Sequence, residues 1–394
     1  MIGLVAKRKP TVKIADEQNR YGILISARNE ETVIPHLIKS ITRQKFPQEN
    51  LTIFVVADNC TDHTATCALS AGAIVYTRQS TTQIGKGYAL DFLIKQIEND
   101  YKLDTFKGFF IFDADNLLDE HYIAEMNKLI NTGYPILTSY RNSKNYGSNW
   151  ISAGYALWFL REAKFLNGVR MWLGTGCAIS GTGFFVSTKI IQENGGWPFH
   201  LLTEDIEFSV YSAIKGNRIG YCETAIFYDE QPETFAQSWK QRMRWTKGFY
   251  QVFGKHGLSL IKSMLLERNF FAFDMFMTVL PGMVITAVTM SLNVLIILIG
   301  YSSGVDVFPV LRLFVSSLIT FYLLLFTVGL VTTTTEWHRI HCPKWLKVLY
   351  LFTFPIFMMT YMPIAIVAMF VKVQWKPISH TSTKTLTEIR NITT

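Results

Sequence analysis

The sequence predicts an α/β domain with a mostly parallel sheet, followed by helices of membrane-like composition. Three observations carry this. Short apolar runs alternate with helix-patterned segments from Tyr21 to Asp113. Two of those runs end on carboxylates, Asp58 and Asp113. From Phe270 onward the chain is mostly Leu, Ile, Val, Phe, Met and Thr. Strands that alternate with helices form sheets covered on both faces. Ligands of such sheets bind beyond the carboxyl ends of the strands.

Taken in order, Tyr21–Ser26 is an apolar run that ends in polar residues, a buried strand. A helix pattern follows from Glu30 to Thr42. Leu51–Val56 is the second strand and leads to Asp58. Ala65–Ala71 reads as helix, Ala73–Thr77 as strand and Gly87–Asn99 as helix. Gly108–Phe112 is a fully apolar strand ending at Asp113. The middle part, Tyr134–Tyr228, reads as short strands among Gly-rich turns, including Gly174-Thr175-Gly176 and Gly181-Thr182-Gly183. Thr234–Ser263 is amphipathic, with Phe235, Trp239, Met243, Phe249 and Val252 among Lys and Arg. Such a helix suits a membrane interface, or packs on the preceding domain.

Three apolar segments follow: Phe271–Gly300, Leu313–Val331 and Val348–Val371. A span needs about 20 residues at 1.5 Å rise. Asp274 and Pro281 predict that the first begins as an interfacial piece and spans only after the proline. Pro355 and Pro363 predict a kinked or broken third segment. The loop 336–347 and the tail after Val371 carry Lys and Arg, which places them on the cytosolic side; the loop 301–309 has none. Three full spans would put the tail outside, so these statements conflict, and one segment is expected not to cross fully.

Charged residues make up 17% of the 394, below the roughly one quarter usual in soluble domains. The net charge of +8 fits an anionic membrane surface. No basic stripe with interleaved aromatics appears, which excludes nucleic acid as a partner. The five cysteines are widely spaced with no C-x-x-C pair, so neither a disulfide framework nor a zinc site is expected. His338, His341 and His380 have no metal spacing and are assigned no chemistry. The start lacks a signal peptide; its apolar stub before Lys7-Arg8-Lys9 reads either as the end of an anchor or as a disordered basic segment.

Asp113-Ala114-Asp115 places two carboxylates just past a buried strand. They suit a hard divalent cation that in turn holds a diphosphate. Gly85-Lys86-Gly87 offers close backbone approach and a positive charge. Thr203-Glu204-Asp205 and Gln241-Arg242-Met243-Arg244-Trp245 follow in order. This ordered set, D, D-x-D, T-E-D and Q-x-x-R-W, resembles the signature of membrane-bound, inverting family 2 glycosyltransferases, the group of hyaluronan, chitin, cellulose and poly-N-acetylglucosamine synthases. The motifs cover Tyr21–Trp245.

The resemblance implies a GT-A type nucleotide-sugar-binding domain and a hexosyltransferase. It implies Asp205 as the base that takes the acceptor hydroxyl proton, with Glu204 beside it. It implies donor contacts from Ala27, Glu30, Asp58 (to the uracil), Lys86, Asp113 and Arg244, and a Mg²⁺ or Mn²⁺ ion on Asp115. Acceptor contacts fall to Gly181, Thr182, Gln241 and Trp245, whose ring would stack on a sugar. Glu336-Trp337-His338-Arg339 stands in the sequence region of a gating loop, with a different motif. The implied organisation is a basic segment 1–20, a cytosolic catalytic domain 21–233, interfacial helices 234–269, a membrane region 270–372 and a polar tail 373–394. Related synthases often carry N-terminal spans, so an anchor ahead of this chain is a further expectation. The implied function is inverting transfer from a UDP-sugar, UDP-Glc or UDP-GlcNAc, to a growing β-linked polysaccharide, with export through a multi-pass membrane region. A single-transfer lipid glycosyltransferase of the ceramide or diacylglycerol type shares the motifs. Intact carboxylates argue against a catalytically dead scaffold.

Overall fold

The computed structural model describes residues 18–304, 306–375, 380 and 382–391. The stub with Lys7-Arg8-Lys9, and Lys376, lie outside these residues. The chain begins β1 (Tyr21–Ala27), α1 (Ile34–Thr42), β2 (Leu51–Asp58), α2 (Thr64–Ser70), β3 (Ile74–Arg78), α3 (Lys86–Asp100) and β4 (Gly108–Asp113). It continues β5 (Leu117–Leu118), α4 (Tyr122–Ile130), β6 (Ile136–Ser143), α5 (Trp150–Arg161), a π-helical turn Glu162–Asn167, α6 (Gly168–Leu173) and β7 (Phe184–Ser187). Next come α7 (Thr188–Glu193), α8 (Glu204–Ile214), β8 (Ile219–Asp229) and α9 (Phe235–Leu266). The last helices are α10 (Phe270–Val279), α11 (Gly282–Ser302), α12 (Phe308–Thr335), α13 (Lys344–Met359), α14 (Tyr361–Phe370) and α15 (Leu386–Asn391).

The strands form one sheet in the order β3-β2-β1-β4-β7-β6-β8-β5. β1 pairs in parallel with β2 and β4, and β2 with β3, as the alternation predicts. β6 pairs in parallel with β8, while β7 runs antiparallel to β4 and β6. Alternate residues of β1 feed opposite layers. Leu24 joins Leu90, Leu93 and Phe208 on one face; Ile23 and Ile25 join Ile34, Leu37 and Tyr122 on the other. The register sets Ala27 beside Ala57 and Ser26 beside Asp113. The carboxyl ends of β1, β2 and β4 therefore meet at one edge.

The middle part departs from the expected short strands. Trp150–Leu173 is helical throughout, and α8 adds a further helix. Ile151 to Leu160 is buried nearly all round, so no amphipathic period marks it in the sequence. Its start is defined by a capping box: Asn149 accepts the Ile151 and Ser152 N–H groups, and the Ser152 hydroxyl accepts the Asn149 N–H.

The first apolar segment breaks between α10 and α11 at Leu280–Pro281, and the third between α13 and α14 at Thr360, as the prolines and Asp274 predict. α12 and the α13–α14 pair are long and apolar enough to cross a membrane; α12 is almost entirely unburied, the pair about half buried. The loop Glu336–Arg339 packs on the sheet instead of the cavity described below. Tyr140 donates its hydroxyl to Glu336, and the Arg339 guanidinium lies 4.1 Å from the Tyr140 ring. The tail returns to the first domain: Ile389 is buried against Leu117 and Tyr228, Arg390 pairs with Asp119, and the Ser382 N–H reaches Glu230 at 2.9 Å.

Candidate active site

Beyond the carboxyl ends of β1, β2 and β4 lies a cavity of about 680 Å³. Ala27, Glu30, Asp58, Lys86, Asp113, Asp115, Gly181, Glu204, Asp205, Gln241, Arg244 and Trp245 all line it. Of the residues expected at the site, Thr182 alone does not. It is buried beneath the D-x-D turn, where its hydroxyl accepts the Asp113 N–H at 2.8 Å and donates to Asn116 at 2.5 Å. Its expected acceptor contact is corrected to a brace for that turn.

Asp58 is paired with Arg78 at 2.5 Å, both buried. Arg78, the last residue of β3, is absent from the sequence reading; one turn further its other nitrogen donates to the Gln83 carbonyl at 2.8 Å. Lys86 opens α3 and pairs with Asp113; it also donates to the Gly181 carbonyl at 2.7 Å. Burial opposes its charge, but Asp113 and Glu204 outweigh this and raise its pKa. Gly181, at φ +80°, turns its own N–H onto Asp205 Oδ2 at 2.6 Å. A relay of three hydrogen bonds through four residues, Asp113, Lys86, Gly181 and Asp205, thus links the D-x-D turn to the T-E-D helix. Burial pushes Asp205 and Glu204 up, and for Glu204 the Asp205 charge adds to it.

Asp205 and Glu204 open α8, which packs on α9 through Gly248 and Thr203. A Cβ at Gly248 would lie 2.5 Å from Thr203 Oγ1 and Cγ2. On α9, Gln241, Arg244 and Trp245 face the cavity, as their spacing predicts. Arg244 has no ion pair among the described residues; burial lowers its pKa, and Glu204, Asp113 and Asp205 are the charges that act against this. Its Nε, Gln241 Oε1 and Arg28 Nη1 are buried without hydrogen bonds among the described residues. Such groups are costly to leave unsatisfied and suit an anionic ligand. Trp245 sets its ring edge-on to Tyr155 and Phe159, 5.6 and 6.0 Å away. Arg242 points away: fully buried, it donates to Phe357 O at 3.1 Å and Thr360 Oγ1 at 2.6 Å, tying α9 to the α13–α14 break.

The tail contributes residues that sequence reasoning missed. His380, assigned no chemistry from its spacing, lies 2.9 Å from Glu30 Oε1. Burial disfavours its charge, yet Asp115 and Glu30 hold its pKa at about 10. Burial pushes Glu30 up to about 7. Burial would raise Asp115, but His380, Lys144 and the Glu230 N–H keep it low. Trp375 stacks over Arg28 and Arg244, 5.1 and 6.0 Å from their guanidinium carbons. Arg141 and Asp229 form a further buried pair on the wall. Among the described residues no three Asp, Glu, His or Cys side chains are grouped as a preformed metal cage. Among the described residues buried Glu30 Oε2 has no hydrogen-bond partner, and Asp113 and Asp115 line the same cavity. That set fits a hard cation that takes one or two carboxylates and completes its shell with phosphate and water.

Residues 19–248 match the family described as glycosyltransferase like family 2. The chain belongs to this family. This family 2 glycosyltransferase is 27% identical over 282 residues to the probable glycosyltransferase YdaM of Bacillus subtilis, over 66% of this chain and 61% of that one. It is 24% identical over 292 residues to the poly-beta-1,6-N-acetyl-D-glucosamine synthase of Staphylococcus aureus, over 69% of this chain and 65% of that one. The match thus spans less than two thirds of either relative. Among solved structures, the mannosyltransferase PcManGT from Pyrobaculum calidifontis, in complex with GDP-Man and Mn²⁺, superimposes with a TM-score of 0.52 at 15% identity, over 91% of this chain and 90% of that one. At that identity the likeness concerns the fold, which is GT-A-like.

Proposed function

We propose that this glycosyltransferase transfers a sugar, with inversion, from a UDP-sugar to the end of a growing β-linked polysaccharide at the membrane surface. The observation that carries this reading is the relay Asp113–Lys86–Gly181–Asp205 on one cavity wall. It holds a basic carboxylate and a donor-side carboxylate in one fixed frame. Asp205 takes the proton from the acceptor hydroxyl as that oxygen attacks the anomeric carbon. Glu204 stands beside it. Ala27, Glu30 and Asp58 line the nucleotide end, and Arg244 with Arg28, neither ion-paired among the described residues, supplies positive charge for the diphosphate. Lys86, already neutralising Asp113, frames the leaving group rather than standing free for it. Asp115, flanked by Asp113, would hold Mg²⁺ or Mn²⁺. That ion, when bound, neutralises charge on the leaving diphosphate. Gln241, Gly181 and Trp245 border the acceptor.

We assign catalysis to residues 21–233, interfacial packing to 234–269 and membrane association to 270–372. The docking of Ser382, Ile389 and Arg390 on the first domain supports placing tail and catalytic domain on the same side. Two crossings meet that requirement, and because the loop Glu336–Arg339 also packs on the catalytic domain, they fall to α11 and α12, joined by the loop 303–307, with α13–α14 held on that domain's side. The cavity continues along Met277, Leu280, Pro281, Met358 and Ala365. This apolar continuation favours a second reading, single transfer to a membrane lipid.

The experiment that decides is to incubate membranes holding the chain with a panel of radiolabelled UDP-sugars and a divalent metal, then size the product. A long polymer supports the first reading. A monoglycosylated lipid as sole product refutes it, and no transfer from any UDP-sugar refutes both.

A further inference from the structure

α5 does not end as an ordinary helix. Residues Glu162–Asn167 form a π-helical turn. Such turns are rare and recur at functional sites. This one sets Arg161, Glu162 and Leu166 on the cavity wall, beside Trp158 and Phe159 of the preceding turn. None of these residues has a part in the donor site.

Their neighbours place them next to the reacting end. The groups that act most on Glu162 are Ser180 and Arg141, which oppose the rise that burial imposes. Arg141 in turn donates to the Ser180 carbonyl at 3.0 Å. The residue after Ser180 is Gly181, whose N–H is bound to Asp205. Glu162 therefore lies one loop residue from the relay that holds Asp205. On the other side, Arg161 lies over Trp158, its guanidinium carbon 4.5 Å from the ring centroid. Arg161 makes no ion pair or hydrogen bond among the described residues, although Arg170 beyond it is paired with Asp274 and bonded to Thr278.

We propose that Glu162 and Arg161 form the acceptor subsite and select a glycan end, by gripping neighbouring hydroxyls of its terminal sugar so that a single hydroxyl meets Asp205. The inference rests on the sugar-transfer reading and names its acceptor class. An ionised carboxylate only accepts hydrogen bonds and a guanidinium only donates them. Adjacent pyranose hydroxyls do both, so two groups of opposite character lining one cavity match a sugar diol. The alcohol of a diacylglycerol offers one hydroxyl and no such match. Trp158, Phe159 and Trp245 supply the apolar flanks that a sugar ring presents to a wall.

The test uses the full chain in detergent with the donor active in the panel above, measuring UDP release against a β-linked pentasaccharide of the donor sugar, and separately against dioleoylglycerol. In the parent, the oligosaccharide should accelerate UDP release and the diacylglycerol should not. Glu162→Gln and Arg161→Gln should each raise the oligosaccharide KM on the order of tenfold or more, the loss expected for a hydrogen bond to a charged group. Donor KM should move by less than about threefold, and Glu162→Asp should recover part of the loss. A purely structural role would shift donor and acceptor constants together. Unchanged acceptor KM in folded, UDP-binding variants would overturn the inference while leaving the glycosyltransferase reading intact. Acceleration by diacylglycerol alone would overturn it as well. A parent that releases UDP from no donor would instead defeat the underlying reading, and this inference with it.

Discussion

Replacing Gly248 by alanine should uncouple binding from transfer. The added Cβ would sit 2.5 Å from Thr203 Oγ1 and Cγ2 and 3.0 Å from Thr203 Cβ, where ordinary contact begins at 3.4 Å. Rotating the threonine side chain cannot relieve the third contact, because Cβ is fixed to the backbone. α9 and Thr203 must then part by up to about 0.9 Å, the difference between the contact distance and the first value. Thr203 is the N-cap of α8, so the displacement passes directly to Glu204 and Asp205. A misplacement of about 1 Å at reacting groups costs roughly 10²-fold in rate. Overpacking costs about 1–3 kcal/mol of stability, offset by about 1 kcal/mol from alanine's better helix propensity. The expected variant is thus folded, with thermal midpoint lowered by a few degrees. It should bind UDP within about threefold of the parent, with transfer about 100-fold slower. The assay is isothermal titration with UDP beside initial-rate UDP release at saturating donor. Thr203→Ser, which removes Cγ2, should restore part of the rate in the Gly248→Ala background. A variant with parental turnover would refute the claim that this contact sets the position of Asp205.

Other outcomes follow from the same geometry. Asp115→Ala should weaken metal-dependent UDP binding, and EDTA should abolish activity of the parent; full activity in EDTA removes the metal from the account. Trp245→Ala should shorten products at matched donor turnover more than it weakens UDP binding, since ring stacking contributes on the order of 1 kcal/mol at each step; equal product lengths would count against a stacking role. Glu207, buried two residues after Asp205, accepts from Lys255 at 2.6 Å, His256 at 3.4 Å and the Leu201 N–H at 3.1 Å. Burial alone would raise it, but those partners depress its pKa below 4.5. A depressed carboxylate gives stability present above its unfolded pKa and lost as pH falls through the folded value. Glu207→Gln should therefore lower the melting temperature at pH 7 and flatten its decline below about pH 4.5. A parallel offset at every pH would contradict this.

What the sequence disclosed about the site follows from locality. Asp58, Asp113 and Asp115 were legible because each closes or follows a fully apolar strand, and parallel strands bring their carboxyl ends together. Gln241, Arg244 and Trp245 were legible because helix spacing puts them on one face. Pro281 and the break after Met359 were legible because proline cannot continue a helix undisturbed. Contacts across long stretches of chain were hidden. His380 meets Glu30 across 350 positions, and no local pattern marks a tail that folds back. Arg78, one residue past the strand read from Ala73 to Thr77, carried no local sign of its pairing with Asp58 across 20 positions. Lys86, read as a free charge for a phosphate, is held by Asp113. Thr182 was placed with Gly181 by the resemblance of the loop Ser180–Gly183 to an acceptor-contacting loop, yet in a loop adjacent side chains can point to opposite sides. The helical stretch Ile151–Leu160 was hidden by its own burial, which erases the amphipathic period, and the π-turn that follows has no sequence signature.

The most direct test of the central claim is the rate of sugar transfer by Asp205→Asn, measured alongside UDP-sugar binding by the same preparation. The asparagine side chain can keep the contact with the Gly181 N–H, so the cavity and the donor site should survive. With Asp205 as the base, donor affinity should stay within about threefold while transfer falls by roughly 10²–10⁴-fold. Transfer within a factor of a few of the parent, with donor bound normally, would contradict the account.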